Sequence, residues 1–308
     1  MTIGIIGSDF LNMDMKKFLT TKVRLVNQYL QKNLSSPNNY PPEIYHAMRY
    51  SVFAGGKRIR PILTLTTAEL LNGNINRVLP IACAIELIHT YSLIHDDLPC
   101  MDNDDFRRGK LTNHKKFGEA NAILAGNALL MLAFEFISKS KKGYKINELI
   151  ISKILSELAH ASGFAGMVGG QVVDVKSENK KVNKETINYI HTHKTGALIC
   201  SSVRIGAIIS GASSTLLIRL TKFGNTLGLM FQVTDDILDE LDNRSQLKKV
   251  GKRDRERGKA TYPSMFGLKK SRGKVTKLLS DCNKYLKPFG KKAEPLLAIA
   301  SLVANRID

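Results

Sequence analysis

The sequence predicts an all-α protein, and three observations lead there. Strand-type alternation of apolar and polar residues is almost absent, apolar residues recur instead at helical spacing, and short breaks of Gly, Asn or Ser separate the periodic runs. A hydrophobic share of 43% is enough for a substantial core and excludes a disordered chain. At 308 residues the chain is large for one domain but compatible with a single all-helical one, and no internal repeat of fixed period is visible.

Residues 1–15 read as a disordered extension, because helical periodicity starts only at Phe18, Leu19, Val23, Val26 and Leu30; the domain is placed at 16–308. Met1–Gly7 is too short for a signal peptide and lacks its basic flank. Ser35–Pro42 is the clearest linker, with Pro42 suited to open the next helix. Gly55 and Gly56 permit a turn that a Cβ-bearing residue disfavours, so Lys57 and Arg60, three apart, can converge on one anion.

Cys83–Ile94 reads as a mostly apolar buried helix, and a dense acidic cluster follows at its end: Asp96, Asp97, Asp102, Asp104 and Asp105. Unpaired charge there is costly. A hard divalent ion answers it, since Mg²⁺ takes one or two carboxylates and completes its shell with water and phosphate oxygens. A solvated acidic loop with an internal Arg–Asp network is the alternative. Asp96 and Asp102, six apart, would leave a regular helix on different faces, but Pro99 disfavours helix at Leu98 and can swing Asp102 back.

Further along, Ala122–Phe136 reads as a buried core helix too short to span a bilayer. Gly163–Gln171 is too rich in glycine for an ordinary helix; a kink or close backbone approach is expected, with Gln171 and Asp174 turned to a cavity. His191 and His193 have no third ligand nearby and are not read as a zinc pair. A second acidic cluster, Asp235, Asp236 and Asp239, ends the apolar run of Leu227, Met230 and Phe231. Asp235 and Asp239 share a helix face.

The Asp-Asp-x-x-x-x-Asp segment from Asp96 and the Asp-Asp-x-x-Asp segment from Asp235 resemble the paired motifs of the trans-isoprenyl diphosphate synthases. Gly55–Pro61, Gly169-Gly170-Gln171, His193–Ala197 and Gly258–Pro263 match in the same order, with the bacterial farnesyl diphosphate synthases nearest in character. The resemblance implies a single-domain bundle of long antiparallel helices around a central apolar cavity. It implies three Mg²⁺ ions, with Mn²⁺ as a substitute, on Asp96, Asp97, Asp102, Asp235, Asp236 and Asp239. Lys57, Arg60, His89 and Arg108 would hold the diphosphate of isopentenyl diphosphate. Arg107, Lys194, Thr195, Gln232 and Lys259 would face the allylic diphosphate, with the Lys194 and Thr195 carbonyls and the Gln232 side chain steadying the cation. His89 lies seven residues before Asp96, close to two turns, and so on the same face.

The chemistry implied is ion-assisted loss of the allylic diphosphate, attack by the double bond of isopentenyl diphosphate, and loss of a proton. Tyr91 and Ser92 lie about one turn below Asp96 and would set the pocket floor; in the family an aromatic residue at Tyr91, together with the two-residue insertion carried by the first acidic motif, goes with a fifteen-carbon product. Geranylgeranyl or another chain length is the alternative, then a regulatory subunit or a terpene cyclase. The stretch Gly251–Gly258 departs from the family pattern, being short and basic. A homodimer is implied only by the resemblance.

The net charge of +19 raises nucleic acid as a partner of a different class. The lysines are read as spread through loops and tail, so a general lysine excess is preferred, with neither nucleic acid nor membrane insertion expected. Cys83, Cys100, Cys200 and Cys282 show no Cys-x-x-Cys spacing and read as reduced cytoplasmic thiols.

Overall fold

The computed structural model describes residues 14–34, 40–144, 146–244 and 261–307, with side chains 141–144 and 242–244 left aside. Residues 1–13, most of the expected linker, the basic stretch 251–258 and Lys259 therefore lie outside the described residues. The chain forms α1 (Met15–Asn33), α2 (Pro42–Val52), α3 (Ile59–Leu70), α4 (Ile75–Asp96), β1 (Phe106–Arg107), β2 (Lys110–Leu111), α5 (Asn113–Phe117), α6 (Glu119–Tyr144) and α7 (Glu148–Ser162). It continues as α8 (Met167–Ser177), α9 (Lys184–Ile190), a π-helical turn (His191–Gly196), α10 (Ala197–Ile209), α11 (Ser214–Arg244), α12 (Tyr262–Phe266), α13 (Leu268–Leu286) and α14 (Glu294–Ala304).

The all-α expectation holds. Caps fall where the sequence supplies them. The Asp14 side chain accepts from Lys17 N at 2.9 Å, Asn74 from Asn76 N at 2.9 Å, and Pro42 occupies the first turn of α2. α4 packs along α3 and α6, α3 against α10, and α10 against α11. Two apolar clusters result, one around α4, α6 and α7, the other around α10, α11, α13 and α14. Leu65 of α3 belongs to the first, and Ile62 and Leu63 to the second.

Three features differ from expectation. A two-residue antiparallel hairpin pairs Phe106 with Leu111 and Arg107 with Lys110. Its turn residues Arg108 and Gly109 both have positive φ, 54° and 75°, which suits the twist of so tight a hairpin. Second, α6 runs 26 residues, and by length and composition Glu119–Ser140 could cross a membrane. Only one side is packed: Leu124 and Met131 are 54% and 60% exposed, so the buried reading of Ala122–Phe136 is half right. Third, Lys269, Lys270, Lys277 and Lys284 are exposed together along α13, more gathered than the spread expected from the sequence.

Glycines hold the π turn in place. A Cβ on Gly228 of α11 would lie 2.7 Å from Gly196 Cα, and one on Gly170 of α8 would lie 2.2 Å from Lys194 N. This is the close approach expected for the glycine-rich segment. Gly228→Ala should push the π turn off α11 and destabilise the fold by about 1–3 kcal/mol, the usual range for overpacking, read from the urea unfolding midpoint.

Candidate active site

α4 stops at Asp96, as the downstream Pro99 requires, and the chain then folds back on the helix end. Asp102 N donates to Asp96 O at 2.8 Å, Asn103 N to Leu98 O at 2.9 Å and Asp104 N to Asp97 O at 3.1 Å. The break expected at Pro99 thus returns Asp102 to Asp96. The Asp96 side chain lines a cavity of about 600 Å³ with Tyr91, Ser92, Met101, Gln171, Lys194 and Thr195. Burial raises the Asp96 carboxyl to about 6; Asp102 and Asp97 push the same way, against Lys194 and Arg107.

The second acid of each pair points inward. Asp97 is 3% exposed and takes Arg107 Nε on both oxygens, at 2.7 and 2.9 Å, with a further Arg107 nitrogen at 2.6 Å. Asp236, also 3% exposed, accepts from Gln232 Nε2 at 2.9 Å on one oxygen. Its other oxygen accepts from Tyr262 N at 2.7 Å and lies 3.2 Å from His191 Nε2. Asp97 and Asp236, expected as metal ligands, meet protein donors in a buried wall. The internal Arg–Asp network, set aside as an alternative, is present at Asp97 beside the cavity carboxylate Asp96.

Asp96, Asp102 and Asp235 remain as candidate ligands. Among the described residues no three His, Cys, Asp or Glu side chains converge on one point, so any ion would rely on water and substrate oxygens. That fits Mg²⁺, and the raised proton affinity of Asp96 and Asp235, due first to burial, is what a cation would relieve. Asp239 is half-buried on the same helix.

A separate pocket of about 550 Å³ gathers Lys57, Arg60, His89, Arg108 and Arg306. Gly55 and Gly56 carry φ of 102° and 127°, the glycine-only turn expected. Arg108, thrown to one side by the hairpin, donates to Gly55 O, while Arg107 goes to Asp97. Burial lowers Arg60 to about 10, so it stays a cation at neutral pH. Burial and then Arg60, Arg108, Arg107 and Arg58 hold His89 well below its usual value, so it acts as a neutral hydrogen-bonding group. Lys57 is lowered by burial and then by Arg306, with Asp235 opposing.

The remaining expected residues are placed as follows. Lys194 lines the large cavity and donates to Asp174 at 2.6 Å; Thr195 Oγ1 donates to Gln232 Oε1 at 2.7 Å. Gln171 lines that cavity too, both its amide atoms buried and without a partner among the described residues. Tyr91 is 8% exposed and packs edge-on to His95 at 5.6 Å, and Ser92 Oγ donates to His89 O at 2.9 Å. His191 and His193 serve separate partners: the His193 ring stacks on Tyr189 at 3.8 Å.

Three contributors were given no site role from the sequence. Arg306, near the C-terminus, meets Asp235 at 2.6 Å and lies over the Phe231 ring. Arg58, at the left-handed start of α3, makes a 2.8 Å pair with Glu86 in which both side chains are at most 3% exposed. That pair had one signal in the sequence: Glu86 interrupts an apolar helix and needs a cation. The third, His191, was weighed only as a zinc ligand.

A family model described as polyprenyl synthetase matches residues 41–299. The chain is 45% identical to a dimethylallyltranstransferase of Fischerella ambigua (strain UTEX 1903), over 95% of the chain and 84% of that protein. It is 44% identical to a geranylgeranyl diphosphate synthase of Cyanophora paradoxa, over 96% and 97%. An FPP/GFPP synthase from Zymomonas mobilis, solved without ligand, superposes with a TM-score of 0.85 at 36% identity, over 94% of this chain and 99% of that one. A geranyltransferase from Legionella pneumophila gives 0.85 at 32% identity, over 95% and 97%. The chain belongs to the polyprenyl synthetase family and is a prenyltransferase of the trans-isoprenyl diphosphate synthase type.

Proposed function

We propose that this prenyltransferase condenses isopentenyl diphosphate with dimethylallyl and geranyl diphosphate to give (2E,6E)-farnesyl diphosphate. The observation that carries the reading is that Arg60 and His89 line both cavities. A cationic pocket thus opens beside an apolar one with a carboxylate at its rim, as two diphosphates, one bearing a hydrocarbon tail, require. Lys57, Arg60 and Arg108 hold the isopentenyl diphosphate as cations, with His89 as a neutral donor. A charge pair about 4 Å apart is worth roughly 4 kcal/mol at an effective dielectric of 20, so this grip is substantial.

Asp96, Asp102 and Asp235 hold the divalent ions that the family generally uses. When bound there, these ions supply Lewis-acid withdrawal of charge from the departing diphosphate. The chain's own residues do the rest. Lys194, which Asp174 holds in the wall, stands beside that diphosphate, and Arg107 is fixed by Asp97. The Thr195 and Gln232 dipoles face the allylic cation. The apolar walls, Leu98, Met101, Ile123 and Met167 among them, keep water from quenching it. Asp96→Ala or Asp235→Ala should lower turnover by roughly a thousandfold with circular dichroism unchanged; near-normal turnover in either removes that residue from the metal site.

The exposed apolar side of α6, with Leu124 and Met131, is read as the seat of a second copy. Light scattering should then give twice the 34.2 kDa chain mass.

Product length rests on Tyr91. Its ring lines the cavity on the helix that ends at Asp96, and the growing chain would run down to it. The second reading is a geranylgeranyl product, favoured by the names of the Cyanophora paradoxa relative and of the chloroplastic large subunit 1 of Arabidopsis thaliana, 46% identical. Labelled isopentenyl diphosphate with each allylic primer decides between them. Wild-type protein should stop at fifteen carbons and Tyr91→Ala should continue to twenty or more. A twenty-carbon wild-type product establishes the second reading, and an unchanged product from the variant moves the floor elsewhere.

A further inference from the structure

We infer that His191 is a positioning residue for prenyl transfer, acting through Asp236 to fix which end of the Gln232 amide is offered to Thr195 on the cavity wall. The inference rests on the prenyl-transfer reading above. Its basis is a chain of polar contacts. Thr195, on the cavity wall, donates to Gln232 Oε1 at 2.7 Å; Gln232 Nε2 donates to Asp236 Oδ1 at 2.9 Å; and Asp236 Oδ2 accepts from Tyr262 N at 2.7 Å and lies 3.2 Å from His191 Nε2, within ion-pair reach.

The direction of this chain has a chemical consequence. Asp236 Oδ1 accepts from Gln232 Nε2, so the amide NH₂ is turned inward. The amide carbonyl, the negative end of the dipole, is then left toward Thr195. If the amide turned over, its positive end would face a developing carbocation and oppose it. Asp236 can hold the amide only if it is itself held, and it is 3% exposed with a backbone N–H and the His191 ring on its second oxygen.

The imidazole suits the task. His191 is 4% exposed, and its Nδ1 is buried with no partner among the described residues. A hydrogen on Nδ1 would be a stranded buried donor, so the arrangement selects the tautomer with its hydrogen on Nε2. The ring also lies nearly parallel to Tyr262, centroids 6.2 Å apart. His191 opens the π turn that carries Lys194 and Thr195, while Asp236 and Gln232 belong to α11 and Tyr262 opens α12. One imidazole therefore ties together the three elements on which the cation-facing dipoles depend.

The test compares His191→Leu, which removes the donor, with His191→Gln, which keeps an N–H at similar reach. His191→Leu should lower kcat about tenfold, leave the KM for isopentenyl diphosphate within about twofold, and raise the share of allylic substrate released as the water-quenched alcohol. His191→Gln should recover most of the kcat and return the alcohol share toward wild type. Nitrogen-15 spectra of the histidine-labelled wild-type protein should show the Nε2–H tautomer at the resonance that vanishes in either variant. An Nδ1–H tautomer, a normal kcat in His191→Leu, or equal losses in both variants with no extra alcohol would each overturn the positioning role. Failure of wild-type protein to elongate any primer would instead overturn the prenyl-transfer reading.

Discussion

Burying ionised groups at one end of an apolar bundle is the constraint on which the site depends. Each charge taken out of water must meet an opposite one, or a set of dipoles, within hydrogen-bond reach. The walls obey this throughout: Arg58 with Glu86, Arg107 with Asp97, Lys194 with Asp174, Arg306 with Asp235, and Asp236 with Gln232, Tyr262 and His191. Such pairs contribute little net stability, because desolvation cancels much of the attraction. Their effect here is geometric: each fixes the element that carries it. Arg58, with its Glu86 partner on α4, sets the entry to α3 and so the aim of Lys57 and Arg60.

Against that background the residues without a protein partner become informative. The Asp96 side chain makes no hydrogen bond among the described residues, and burial first, then Asp102 and Asp97, raise its carboxyl to about 6. The amide of Gln171 is buried and unpaired. Arg60 has a buried Nε in the same state. All three line the large cavity, and Arg60 also lines the cationic pocket. A folded chain tolerates unsatisfied polar atoms where a ligand completes them, so their gathering at one place is a physical pointer to substrate that the motifs alone do not give.

Much of this was legible beforehand, for identifiable reasons. Helical periodicity and the scarcity of alternation gave the fold class, since both follow from which faces must be buried. Pro99 gave the chain reversal after Asp96, because proline's effect on the preceding residue is local. Gly55 and Gly56 gave the turn that carries Lys57. What stayed hidden depends on long-range contact: Arg306 is 71 residues from Asp235, and nothing near it in the chain marks it. The hairpin at Arg107–Lys110 is too short for alternation to register. The π turn hinges on Gly228 and Gly170, whose meaning appears only when the elements opposite them are in place.

The acidic doublets show how one local pattern serves two ends. Adjacent residues on a helix leave the axis roughly 100° apart, so two neighbouring carboxylates at a helix end cannot both face one cavity. Asp96 faces the cavity, and Asp97 turns into the wall to hold Arg107. In the second cluster Asp235 meets Arg306, and Asp236 turns inward to Gln232, His191 and Tyr262. In both, the first acid is left for cationic partners at the site and the second is used to fix a neighbour that also serves it. Read as alternating roles, the motifs account for every oxygen of Asp97 and Asp236. The division also explains why so acidic a segment can close a core: Arg107 neutralises Asp97, Arg306 meets Asp235, protein dipoles hold Asp236, and Asp96 is left for metal and substrate.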